Sequence, residues 1–435
     1  MEDGDNMKFV LDIEKERYEE FVKSNVKSHF LQSYAWGEFS SVAKGLTPHY
    51  VGVTENDKLI ATALLLQKKL PLGYSYFYCP RGFVVDYYDI NTLRFLTEEI
   101  KKYTKKYKSI FTKIDPDIIW SLKDNDYNEK SLPYDSKVIF NNIKSLGFKH
   151  KGFTKNFETM QPRYTFRIDM NQSLEEIESK FSKTTKQRIK KATNLDTKVR
   201  IGDINDIEKF SELMLITEAR KNFLSYDLDY YKKLYEIYNK DNKFLLFMGS
   251  VNPKEIFNKY NKSLSDISNE LDKLPKEGLS KSQNTRKKEL LREKESVQKA
   301  IDEYTPYKDM DEIVLNAHAI IIYNDKAWVL YAGNHNILTN TFSNYKTYFE
   351  HIKYCKENGI KMYDQFGTIG DLSKDNPRLG LHEFKKKFGG DYIEFIGEFD
   401  LVTKPFMYFI FTTFVPFLRK IKREKAKKGL KNEIC

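Results

Sequence analysis

The residues best placed by type and spacing to do chemistry lie in three stretches. MYDQFGTIG, Met362 to Gly370, runs strand-type residues into Gly367 and Gly370, so a strand should end there in a turn that lets backbone approach a ligand. Polar side chains at such a turn can face a cleft. LGLHEFKKKFGG, Leu379 to Gly390, sets Leu379, Leu381, Phe384 and Phe388 near helical spacing, with Glu383 and Lys385 to Lys387 between them and a glycine pair as the stop. This predicts a short helix, apolar on one face and basic on the other. The third stretch, SIFTKIDPD, ends in Asp115-Pro116-Asp117. Two carboxylates flanking a proline at a strand's C-terminal edge can point into a cleft and hydrogen-bond an amine; the competing reading is a proline turn with aspartate caps. No Ser-His-Asp or Cys-His pair is evident, so no acyl-enzyme nucleophile is expected.

Those stretches sit in a chain of 435 residues, which bounds it to roughly three domain-sized units or two larger ones. With 40% apolar and 31% charged residues the composition is that of a globular protein rather than a disordered one. The formal charge of +11 favours polyanionic partners such as RNA, nucleotide-linked substrates or anionic membrane. Three widely spaced cysteines, Cys79, Cys355 and Cys435, make neither a disulfide framework nor a zinc site, which fits a reducing cytosol. The acidic opening MEDGDNMKFV has no apolar core and reads as no signal peptide, and no run of ~18 apolar residues exists to span a membrane.

The elements that must position the chemistry follow in order. Helical pieces are expected from Phe9 to about Gly45, then an antiparallel meander through HYVGVTEN, KLIATALLLQKKL and YSYFYCPRGFVVDY. A helix around Asn91 to Tyr107 and the strand ending at Asp115 come next, then a helix near Val138 to Leu146. From Ser173 the order repeats, implying two similar α/β domains. Between the later strands, Phe257, Tyr260, Leu264, Ile267, Leu271 and Leu274 step by three and four, the heptad seam of a coiled coil. Pro275 and Gly278 break it, and Leu290, Leu291, Val297, Ile301 and Tyr304 supply a second arm, so an antiparallel helical hairpin should project there. The expected division is 1–160, then 161–252 with 305–400, an arm at 253–304, and a tail at 401–435. That tail is aromatic and aliphatic up to Leu418 and then carries eight Lys or Arg through Lys431 against Glu424, a pattern that attaches to anionic membrane surfaces or packs as a terminal helix.

The motifs RGFVVDY (Arg81 to Tyr87), KIDPD (Lys113 to Asp117), GFKHKGF (Gly147 to Phe153), QPR (Gln161 to Arg163), FKKKFGG and IGEFD (Ile396 to Asp400) together resemble the Fem family of peptidoglycan interpeptide-bridge aminoacyltransferases, most of all its FemX type, over nearly the whole length. The resemblance implies two tandem acetyltransferase-like (GNAT) α/β domains with the coiled-coil arm inserted in the second. It implies a reaction without cofactor: an amino acid, glycine by default, moves from its tRNA ester to the ε-amino group of the stem-peptide lysine of membrane-anchored lipid II. The expected place is the cytoplasm, peripheral to the inner face of the plasma membrane, with other bridge-forming Fem-type transferases as partners.

Direct aminolysis needs a neutral amine, and a free lysine amine has a pKa of ~10.4, so a group must take its proton. Candidates are Asp115, Asp117 and Glu383, and a substrate phosphate could serve as well. By resemblance Arg220 matches the family's arginine facing the acceptor's phosphates, with Tyr226 nearby. Trp36 matches a family tryptophan, beside which Tyr34 and Ala35 stand where several members have a lysine. Gln365 replaces the usual phenylalanine of the Tyr-Asp-Phe run, with Phe366 after it, and together with Lys385 is expected at the substrate. Lys183, Lys186, Arg188, Lys190 and Lys191, behind a cap at Ser182, can contact RNA phosphates or form a solvated basic face. Two rivals remain at this level: a non-catalytic module of the same fold that recruits tRNA to the membrane, and an acetyl-CoA-dependent N-acetyltransferase, for which no convincing pyrophosphate loop is found.

Overall fold

The structure, a computed structural model, describes residues 6–221, 225–241, 243–275 and 277–414. Its elements in chain order are β1 (Met7–Val10), α1 (Lys15–Ser24), α2 (Tyr34–Lys44), β2 (Thr47–Glu55), β3 (Lys58–Lys69), β4 (Ser75–Cys79), α3 (Ile90–Lys105), β5 (Ser109–Ile114), β6 (Ile119–Lys123), α4 (Ser136–Ser145), β7 (Phe148–His150) and β8 (Tyr164–Asp169). There follow α5 (Leu174–Ser179), α6 (Lys183–Asn194), β9 (Lys198–Gly202), α7 (Asp206–Lys221), α8 (Leu228–Tyr238), β10 (Phe244–Val251), α9 (Pro253–Asp272), α10 (Lys281–Tyr304), β11 (Ile313–Tyr323), β12 (Lys326–Asn334), α11 (Ser343–Glu357) and β13 (Met362–Asp364). The chain closes with α12 (Leu379–Lys386), β14 (Asp391–Phe395), β15 (Phe399–Val402) and α13 (Pro405–Phe409). The basic tract from Arg419 onward lies outside the described residues.

Two compact units result. One takes the described residues up to Asp169, the stretch Ile322–Lys326 and the described residues from Asp364 onward; the other takes Met170–Ile321 and Ala327–Tyr363. The first unit holds a seven-stranded sheet in the order β1-β2-β3-β4-β5-β15-β7. Pairing is antiparallel except for β4 beside β5, which is parallel because α3 crosses over between them. Val51, Val53, Ala61, Ala63, Leu65 and Phe77 from the sheet and Leu93, Leu96 and Ile100 from α3 share one buried core with Ile139 and Ile143 of α4. Asp89 starts α3 by accepting the N–H bonds of Asn91 and Thr92. The same unit also pairs β14 between β6 and β8. Residues 364–400, which sequence order groups with the second half, are therefore held by strands of the first.

The second unit holds β12-β11-β10-β9 in that order, with β10 antiparallel to both β9 and β11. Its inserted helices start on clear signals: Asn252 caps α9 ahead of Pro253, and Ser280 with Gln283 forms a capping box for α10. Phe257, Tyr260, Leu264, Ile267, Leu271 and Leu274 all pack with Leu290, Val297 and Ile301. Leu291, counted on that seam from sequence, is half exposed because it falls one position beyond Leu290 on the helix.

Two further local expectations change. The stretch expected as helical from Phe9 begins with β1, which pairs with β2 from Met7 opposite Glu55 to Val10 opposite Gly52. The helix expected from Leu379 forms, but its buried positions are His382 and Lys385, while Leu381 faces outward.

Candidate active site

β5 leaves the sheet at Ile114, and the next residues must turn against the loop after β4. That loop bends through Arg81 (φ 58) and Gly82 (φ 77), closed by the Gly82 N–H donating to the Cys79 carbonyl at 3.1 Å. A Cβ on Gly82 would lie 2.9 Å from Pro116 Cα and 2.6 Å from the Tyr87 hydroxyl, so glycine lets the two turns touch. Asp115 is thereby fixed at 4% exposure. The Tyr78 hydroxyl donates to it at 2.8 Å and the Arg81 N–H at 2.7 Å.

Asp115 lines a cleft whose other walls are Arg81, Pro116, Thr159, Gln161, Pro162, Arg163, Phe395, Gly397 and Glu398. Four of the sequence motifs thus converge on one place. Glu398 accepts from Lys113 at 2.7 Å and from the Met160 N–H at 2.5 Å, and Lys113 also pairs with Asp400 at 2.9 Å. Arg163 donates to Glu394, to the Tyr164 hydroxyl at 2.9 Å and to the Thr154 carbonyl at 3.0 Å. The buried Nε of Arg81 and of Arg163 have no hydrogen-bond partner among the described residues. Burial pushes the Asp115 carboxyl up to about 7, aided by the Glu398 charge and opposed by the Arg81 guanidinium and the two hydrogen bonds. It is a carboxyl that gains and loses a proton near neutrality.

Asp117, two residues on, is placed differently. Its carboxylate takes a 2.7 Å bond from the Arg167 guanidinium, whose Nε donates to Asp364 at 2.7 Å. Although burial acts the other way, Arg167, Arg81 and His29 hold Asp117 well below the usual carboxylate range. Arg81 and Arg167 both lie over the Phe395 ring, at 4.4 and 4.9 Å from its centroid. Asp364 in turn accepts from the Thr165 hydroxyl and from the Phe366 N–H at 2.7 Å.

That last bond leads to the turn after β13, where Phe366 has φ 58. Lys385 reaches from α12 into the turn and donates to three carbonyls, of Gln365 at 2.7 Å, Phe366 at 2.9 Å and Gly367 at 2.7 Å. Burial pushes its ammonium down to about 7, with Asp364 acting the other way. The Gln365 side chain returns a bond to the Lys385 carbonyl at 3.1 Å. Trp36 is buried and packs edge-on against Phe30 at 5.4 Å, and Phe30 lies 6.5 Å from Phe366. Glu383 is half-buried, and its charge helps raise the Tyr127 hydroxyl.

Asp115, Asp117, Gln365, Phe366, Lys385 and Trp36 are therefore joined through packed or hydrogen-bonded neighbours in the first unit. Glu383 also belongs to that unit, and the remaining expected residues belong to the second. Arg220 is exposed near the end of α7. Tyr226 is 44% exposed and stacks on Tyr230 at 3.7 Å. Ser182 caps α6, from which Lys183, Lys186, Lys190 and Lys191 are exposed. Arg188 is half-buried, bonded to the Tyr345 hydroxyl and lying over Phe342 at 5.1 Å.

Sequence reasoning passed over Arg81, Arg163, Arg167, Asp364, Glu394 and Glu398 as site residues. A signal for two of them was present: in RYTFRI the polar residues 163, 165 and 167 alternate with apolar 164, 166 and 168, so one face of β8 had to present two arginines to something acidic.

A family model described as the FemAB family matches residues 13–415. A protein of Staphylococcus haemolyticus (strain JCSC1435) named lipid II:glycine glycyltransferase is 30% identical over 429 residues, covering 96% of this chain and 98% of that protein. A protein of the same name from Staphylococcus aureus (strain MRSA252) is 30% identical over 434 residues with the same coverage. The solved structure "Crystal structure of FemX" aligns with 92% of this chain and 98% of its own, at a TM-score of 0.72 and 28% identity.

Proposed function

The chain belongs to the FemAB family, and from that premise we propose that it is a tRNA-dependent aminoacyltransferase. It moves an amino acid, glycine first, from aminoacyl-tRNA to the ε-amino group of the stem-peptide lysine of lipid II, in building the peptidoglycan bridge. The reading is carried by the full-length likeness to proteins named lipid II:glycine glycyltransferase. The cleft supplies the group that such chemistry needs.

In this reading the acceptor amine sheds its proton to Asp115 and attacks the ester carbonyl. The new N–C bond forms as the C–O bond to the tRNA ribose breaks, and the proton that the attacking nitrogen then loses goes to the departing ribose oxygen, which leaves as a hydroxyl. A carboxyl at about 7 suits this role because it is partly ionised at working pH and a stronger base than an ordinary aspartate. Asp117, held as an anion by Arg167, serves to fix the guanidinium and the turn rather than to exchange protons. Arg81 and Arg163 line the cleft and offer positive charge to a substrate oxygen or carboxylate there. Positioning the two substrates can contribute roughly 7 to 11 kcal/mol without covalent catalysis. Arg220 and Tyr226 are assigned to the acceptor's phosphates, and the exposed lysines of α6 to the tRNA backbone, where their spacing along one helix suits successive phosphates.

The test is incubation of the purified protein with lipid II and a mixture of charged tRNAs, with product mass as the readout. A gain of one amino-acid residue supports the reading and identifies the donor. No gain with any tRNA, from a folded protein that binds lipid II, refutes it.

A further inference from the structure

At one end of the first unit's sheet, three segments meet: the turn between β3 and β4, the loop before β5, and α13 after β15. The register fixes this, since Lys69 pairs with Ser75, Ser75 with Ser109, and Val402 with Phe111. The N–H groups of Thr403 and Lys404 both donate to the Ile110 carbonyl, at 3.0 and 3.1 Å. One side of α13 and the turn after it is packed: Tyr408 and Phe411 lie 5.5 and 5.6 Å from Phe111.

The other side is left uncovered by the described residues. Phe406 is 74% exposed, Phe409 58%, and Leu72, at the tip of the neighbouring turn, 86%. Leu72 also has φ 62, a backbone region that disfavours a bulky side chain, so the fold holds a leucine outward at a cost. In the segments that carry these apolar groups the charge is of one sign. Residues 68–76, 105–111 and 402–414 contain Lys68, Lys69, Lys105, Lys106, Lys108 and Lys404 and no aspartate or glutamate.

We propose that this end of the first unit is the surface by which the protein seats on an anionic bilayer. Phe406, Phe409 and Leu72 enter the headgroup region while the lysines meet lipid phosphates. The charge decides the occupant: six lysines without a carboxylate fit a polyanionic sheet, and the apolar centre has no use for a phosphate polymer but matches the acyl boundary. No described helix is long and apolar enough to cross a membrane, so the contact is interfacial. The inference rests on these residues alone and stands whether or not the transferase reading does.

The test compares the full chain with the variant Leu72→Ser/Phe406→Ser/Phe409→Ser by flotation with vesicles of phosphatidylglycerol and phosphatidylcholine, and of phosphatidylcholine alone, at physiological salt. Both proteins keep the basic sequence beyond residue 418, so a difference belongs to this surface. The expected result is binding to anionic vesicles that falls roughly tenfold or more in the variant. Independently, Phe406→Trp should give tryptophan emission that shifts to the blue on anionic vesicles and is quenched by brominated lipid. The proposal is overturned by absent binding of the parent chain, by unchanged binding of the triple variant, by an unshifted introduced tryptophan, or by a dimer in sedimentation that the triple substitution dissolves without altering vesicle binding.

Discussion

Replacing Arg167 by leucine should unbalance the first unit in a way that pH can reverse. Its guanidinium holds two carboxylates at 2.7 Å each, and the side chains of Asp117 and Asp364 are only 15% and 3% exposed. Removing one partner of a buried ion pair costs about 3–5 kcal/mol because the other charge is left stranded. Asp364 keeps its bonds from Thr165 and the Phe366 N–H, and Asp117 can reach some water, so the low end, about 3 kcal/mol, is expected at pH 7. The sign with pH follows from the depressed Asp117. In the parent protein the ion pair's contribution is fully present above the unfolded carboxyl pKa, ~3.9, and is lost as pH falls through the lower folded value. In Arg167→Leu the stranded Asp117 carboxyl protonates more readily, so the gap between the proteins should narrow from pH 7 to pH 4. Arg167→Lys restores charge without the fork and should fall between the two. Denaturant unfolding followed by Trp36 and Trp120, both in the first unit, reads the effect in a Trp328→Phe background. A loss equal at pH 4 and pH 7, or one under about 1 kcal/mol at pH 7, would mean that packing rather than charge balance holds this turn.

Asp115→Asn should lower turnover in the product-mass assay and remove the ionisation near pH 7 from the acid limb of its pH profile; a limb that persists would reassign the proton to another group. Arg220→Ala should weaken lipid II binding far more than tRNA binding, and equal losses in both titrations would contradict the assignment. Lys385→Met leaves three carbonyls without their ammonium and should cost about 1–3 kcal/mol. Because burial pushes Lys385 down to about 7, the unfolded chain binds more protons above that pH, so parent stability should rise from pH 7 towards 10 and the methionine variant should lack that rise.

The proline turn at Asp115-Pro116-Asp117 was legible because a strand, its end and two carboxylates lie within nine residues. Which carboxylate is poised and which is locked was not, since that depends on Tyr78, Arg81 and Arg167, brought from three other strands or turns. The helix from Leu379 was legible in its length and stop but not in its face. Hydropathy reads Lys385 as surface, whereas three inward carbonyls of the turn at 365–367 accept hydrogen bonds from its amine. The helical hairpin followed from its own local spacing, and every seam residue of its first arm is packed. β1 escaped notice because four residues at a sheet edge carry little periodic signal.

The place of β15 between β5 and β7 has a consequence for how the chain is made. β7 ends at His150 and β15 begins at Phe399, so about 250 residues leave the ribosome between them. At ~5–20 residues per second this takes roughly 12–50 s. Throughout that interval β5 and β7 lack the strand that later joins both, and the emerging sheet offers open edges to other nascent chains. The unit begun first is completed last, so cellular yield should depend more on the rate of elongation and on chaperones that shield strand edges than on the stability of the finished fold.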